Sequence, residues 1–93
     1  MTLLASKQHT VGDTRRWQVD YSAWLDNTAT ITTVTVKSSS TTCTISKSSV
    51  LGNEVIFFLT SGVLGETLTV TLVITDSFGN IKTDTISFHC VAP

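Results

Sequence analysis

Residues 67–75, TLTVTLVIT, constrain the chain more than any other stretch. Leu68, Val70, Leu72 and Ile74 fall on one side of a period-two pattern, and Thr69, Thr71 and Thr75 on the other. That alternation is the mark of a half-buried β-strand. Threonine, valine and isoleucine recur in TATITTVTV and TTCTIS. Branching at Cβ stiffens these side chains and suits them to a pleated sheet. The single proline is Pro93, at the last position.

Further strands follow from the same pattern. In TRRWQVDY (14–21), Trp17, Val19 and Tyr21 share one face and Arg16, Gln18 and Asp20 the other. SAWLDN breaks the alternation, with Trp24 and Leu25 as an inward plug and Asp26–Asn27 as turn residues. In TATITTVTV the apolar frame slips by one residue across Thr32 and Thr33, which predicts a bulge or a change of sheet. KSSSTT reads as a connection, Cys43 and Ile45 share a face in TCTISK, and SSVLGN reads as a turn region. EVIFFLT is apolar on both faces, as befits a central strand. Gly62 and Gly65 mark SGVLGE as a loop. DSFGN carries hairpin-turn chemistry, and beyond it Ile86, Phe88 and Cys90 share a face, with Lys82 and Asp84 before them. Six to seven short strands with turns between them predict an all-β fold, an antiparallel immunoglobulin-like β-sandwich over residues 13–93. A small closed barrel is the alternative. Residues 1–12 lack a period and read as an N-terminal arm, either disordered or docking Leu3 and Leu4 on a neighbouring subunit.

A chain of 93 residues is one domain's worth. Its net charge of −1 supplies no long-range field for nucleic acid or an anionic membrane. No apolar run approaches the ~20 residues of a membrane-spanning helix. The start lacks the basic and apolar regions of a secretory signal, so production in the cytoplasm is expected.

The reactive residue types are scattered. Asp13, Asp20, Asp26, Glu54, Glu66, Asp76 and Asp84 fall mostly at strand ends and turns, where carboxylates cap and solubilise. No Gly-x-Ser-x-Gly elbow and no phosphate-binding glycine loop occurs. His9 lies in the arm and His89 on the face opposite Cys90, neither at metal-ligand spacing. Neither catalysis nor a cofactor or metal is expected. Cys43 and Cys90 both fall on inward frames, as buried thiols or as a disulfide between an early strand and the last. Trp17, Tyr21 and Trp24 fit a core better than a sugar platform. Phe78, at a hairpin tip, is a candidate partner contact.

Two longer stretches carry a family likeness: VDYSAWLDNTATI (19–31), and EVIFFLTSGVLGETLTVTLVITDSFGN (54–80). As an ordered set spanning most of residues 13–91, they resemble the small immunoglobulin-like structural proteins of tailed bacteriophages. Ser61-Gly62-Val63 stands where those proteins commonly have Gly-Gly. The resemblance implies a virion component made in the host cytoplasm. Its foremost form is a capsid decoration protein, contacting the major capsid or a tail protein and other copies of itself. The contact residues would be Leu3, Leu4, Leu64 and Phe78. The alternative is a module associated with a tail or head fibre that binds a cell-surface glycan or protein.

Overall fold

The computed structural model describes residues 2–26 and 28–93, with side chains from residue 5 onward. Seven strands form: β1 (Thr2–Thr10), β2 (Thr14–Asp20), β3 (Ile31–Ser38), β4 (Cys43–Leu51), β5 (Glu54–Ser61), β6 (Thr67–Asp76) and β7 (Ile81–Val91). They make two open sheets, β1-β7-β6-β3 and β2-β5-β4. The fold is the all-β sandwich the alternation predicts, not a closed barrel. Every pairing is antiparallel except β1 with β7. A constant-type immunoglobulin domain keeps its first strand in the sheet of its second. Here the first strand crosses to lie beside the last.

The segment read as an arm is therefore the edge strand β1, paired with β7 from Thr2↔Asp84 to Thr10↔Val91 with one register shift between Leu3 and Ala5. Its pattern was hard to read because an edge strand owes the core little. Ala5 packs against the core and His9 is fully buried, but Ser6, Lys7 and Gln8 face water. The side chains of Leu3 and Leu4 lie outside the described residues, as does Asn27. SSVLGN is likewise mostly strand: β4 runs to Leu51 and turns only at Gly52–Asn53. From Ser46 onward every residue of this edge strand is exposed, so no alternation was available to find. The frame slip in β3 is real, a register shift between Ile31 and Thr33.

The core lies between the sheets. Val55, Phe57 and Leu59 of β5 meet Leu68, Val70, Leu72 and Ile74 of β6 and Ile86, Phe88 and Cys90 of β7. The Phe88 ring makes edge contacts with Phe57 at 6.4 Å and Trp17 at 5.1 Å. Truncating a buried phenylalanine of this kind costs about 3–5 kcal/mol. Among the described residues no third layer covers the outer face of β5. Ile56 pairs with Gln18 and Ser49, and Phe58 with Arg16 and Lys47, whose ammonium stands 5.8 Å from the Phe58 ring. Long polar side chains on the flanking strands thus cover the second apolar face.

Candidate functional site

Among the described residues, the large apolar side chains that reach solvent sit in loops and strand ends at the two poles of an elongated molecule, 43 × 21 × 19 Å. At one pole the β5–β6 loop presents Val63 and Leu64, 52% and 64% exposed. The loop departs from β5 through two consecutive positive-φ residues, Ser61 (φ 73°) and Gly62 (φ 108°). Glycine adopts such a backbone freely, whereas serine does so at a cost. Three bonds hold the bend. Ser61 N–H donates to the Asp13 carbonyl (3.1 Å), Gly62 N–H to the Thr42 carbonyl (3.1 Å), and His9 Nε2 to the Ser61 carbonyl (2.8 Å). A carbonyl only accepts, so His9 carries its proton on Nε2. Beyond the bend, Gly65 N–H donates to the Cys90 carbonyl (3.0 Å). The Glu66 carboxylate accepts from Ser40 Oγ (2.5 Å), Thr42 Oγ1 (3.0 Å) and Val63 N–H (3.4 Å). The Ser40 bond does most to hold the Glu66 carboxyl below its ordinary range; burial opposes it, and Thr42 and Val63 assist.

At the opposite pole the β6–β7 turn presents Phe78, 60% exposed, with Ile81 at 68% where β7 begins. Asp76 shapes this turn. Its carboxylate accepts from Phe78 N–H (2.9 Å), Asn80 N–H (2.8 Å) and Asn80 Nδ2 (3.0 Å). Burial pushes the Asp76 carboxyl up, but the bonds from Asn80, Phe78 and Gly79 outweigh it and leave it low. The incoming segment before β3 straps the turn, with Ser77 N–H donating to the Thr30 carbonyl (2.8 Å) and Thr30 N–H to Ser77 Oγ (3.1 Å). The β4–β5 turn closes at this same end, adding Leu51, which is 62% exposed, and Val50.

Leu64 and Phe78 do not share a surface. The ten residues of β6 separate their loops, roughly 33 Å at the rise of a strand. Val63, Leu51 and Ile81 join them as exposed apolar residues that sequence reading passed over. Ile81 had a usable signal, since it follows a turn and falls out of the inward frame of Asp84, Ile86 and Phe88.

The polar candidates resolve differently. Asp84 is no strand-end solubiliser but is fully buried in β7. It accepts from Tyr21 Oη at 2.9 Å and stands 3.4 Å from Lys82 Nζ, which links the sheets across the core. Burial first, and the Asp84 bond second, push the Tyr21 hydroxyl well above its ordinary value. His89 is exposed and bonds Thr67 Oγ1 at 3.1 Å. Trp17 and Trp24 are half-buried against the core and form no open stacking platform. Cys43 and Cys90 are buried free thiols. Among the described residues there is no pocket and no group of three metal-ligating side chains.

A small sandwich with apolar tips at both ends and polar faces between them has the form of a protein that works by contact. Such a form is at home among phage structural proteins, and the family comparison agrees. The model of the family "podophage GP4 fiber-tail adaptor protein gp77" matches residues 9–89, and the chain belongs to that family. No curated protein matches it. The likeness to phage structural proteins therefore holds, and with it a place in the virion. The expectation of capsid decoration gives way, because the family is named for the fiber and the tail.

Proposed function

We propose that this chain is a tail-side adaptor that seats a fiber on the tail through its two poles. The Val63–Leu64 loop serves one junction, and the Phe78–Ile81 turn, with Leu51, the other. The observation that carries this reading is the placement of exposed apolar tips at opposite ends of a rigid sandwich whose family is named for such an adaptor. A linker between two bodies needs two surfaces that do not obstruct each other, and a β6 strand's length supplies that spacing. The small net charge leaves apolar contact and hydrogen bonding to do the holding. Multiple copies around a tail would raise the combined strength of a modest interface.

The test is assembly in particles produced without this protein, to which purified wild-type chain is added back. The expected result is restoration of fiber on the tail with the head unaffected. Binding to the capsid shell in preference to the tail would overturn the reading.

A further inference from the structure

We propose that Cys43 and Cys90 are a disulfide site that can fasten the two sheets together at the Val63–Leu64 pole. The proposal stands apart from the adaptor reading and would survive its failure.

The geometry assembles the pair from distant parts of the chain. Cys43 opens β4 in the three-stranded sheet, and Cys90 lies near the end of β7 in the four-stranded one. Both are buried, and both sulfurs border one point, the position a Cβ would take on Gly62. Both backbones are pinned. Cys43 N–H donates to Ser40 Oγ (3.0 Å), and Ser38 Oγ donates to the Cys43 carbonyl (2.7 Å). Cys90 N–H donates to the Glu66 carbonyl (2.8 Å). Gly62 closes over the sulfurs: a Cβ there would stand 3.1 Å from Cys90 Sγ and 3.6 Å from Cys43 Sγ. The strained Ser61–Gly62 bend thus serves as a lid on a thiol pair, and His9 fastens the lid.

The closed lid keeps the thiols protonated. Burial, then the neighbouring Cys90 and Glu66, push the Cys43 thiol up to about 12, and burial raises that of Cys90 as well. Reaction therefore belongs to the opened loop or to the folding chain, where a low-molecular-weight disulfide is the oxidant. One cysteine thiolate attacks it, forming a mixed disulfide and expelling one small thiolate. The other cysteine loses its proton and attacks the protein sulfur of that mixed disulfide, expelling the second. The released protons pass to the two small thiolates. Two protein thiols are oxidised and one small disulfide is reduced to two thiols. Glu66 Oε1, 4.0 Å from Cys90 Sγ, is the nearest carboxylate to take up a proton on the way.

The test is refolding of the full chain from urea in a buffer of reduced and oxidised glutathione, so that access is not limiting. Acid quenching, alkylation and intact mass then read the thiols. The expected product is a monomer lighter by two hydrogens, with no glutathione adduct. It should melt about 20 °C above the reduced chain, as closure of a loop of about 47 residues implies. Two alkylatable thiols at equilibrium, a dominant mixed adduct, or a crosslinked chain melting no higher than the reduced one would each overturn the proposal.

Discussion

The two poles reach similar exposure by different construction. The β6–β7 tip takes its shape from one carboxylate, Asp76, whose bonds go to residues within four positions of it. The β5–β6 loop takes its shape from partners far along the chain: His9, Asp13, Ser40, Thr42 and Cys90 all converge on residues 61–66. One tip is set mainly by local chemistry, with Thr30 strapped across it, and should form wherever its hairpin forms. The other exists only once both sheets have come together, so damage there should spread into the sandwich.

The glycines give the largest expected contrast. Gly62→Ala must adopt a positive φ and also crowd Cys90 Sγ at 3.1 Å. It should lose about 2–3 kcal/mol. Gly79→Ala meets only its backbone cost, with open space around the new methyl, and should lose about 1 kcal/mol. Urea denaturation reads both, and equal losses would break the distinction.

His9→Ala comes next, at about 2 kcal/mol for the lost bond and the void. It should raise amide exchange at Gly62 and Gly65 while leaving Gly79 unchanged. A uniform rise along the chain would mean that His9 does not act on the loop.

The pH dependence sharpens the comparison further. Glu66 and Asp76 both titrate below their ordinary values. The folded chain thus binds fewer protons than the unfolded one in the acid range. The stability they contribute is present above the ordinary carboxylate pKa and lost as pH falls through the lowered one. Glu66→Gln and Asp76→Asn should each flatten that acid loss. Only the former should also loosen the remote Ser40–Thr42 connection, visible in its amide exchange. On the alkaline side the signs reverse, since Cys43 rises from 9.0 to about 12. Its contribution is full below the ordinary thiol value and disappears as pH climbs through the raised one.

The smallest expected effects on stability are those of Leu64→Asp and Phe78→Asp, within about 0.5 kcal/mol because both side chains already face water.

The same contrast governs what the sequence disclosed. β6 and the DSFGN turn were legible because their causes lie within ten residues: a period of two, then an aspartate and a glycine at turn spacing. The bulge at Thr32 announced itself as a slipped frame. β1 and the far half of β4 did not, because edge strands carry few inward side chains and so leave no period. Buried Asp84 was misjudged because its partner, Tyr21, is sixty-three positions away. Leu64 and Phe78 were legible as exposed, but their separation to opposite poles follows only from the direction of β6. The role of His9 depends on a parallel pairing that no local pattern encodes.

The central claim is that the two poles engage different bodies, and a paired binding experiment tests it most directly. Purified fiberless tails and isolated fibers are each incubated with wild-type, Leu64→Asp and Phe78→Asp protein, and the bound chain is measured by co-sedimentation. The account predicts that each substitution abolishes binding to one body and leaves binding to the other at the wild-type level. Loss of the same body by both variants, or undiminished binding to both bodies by either, would contradict it.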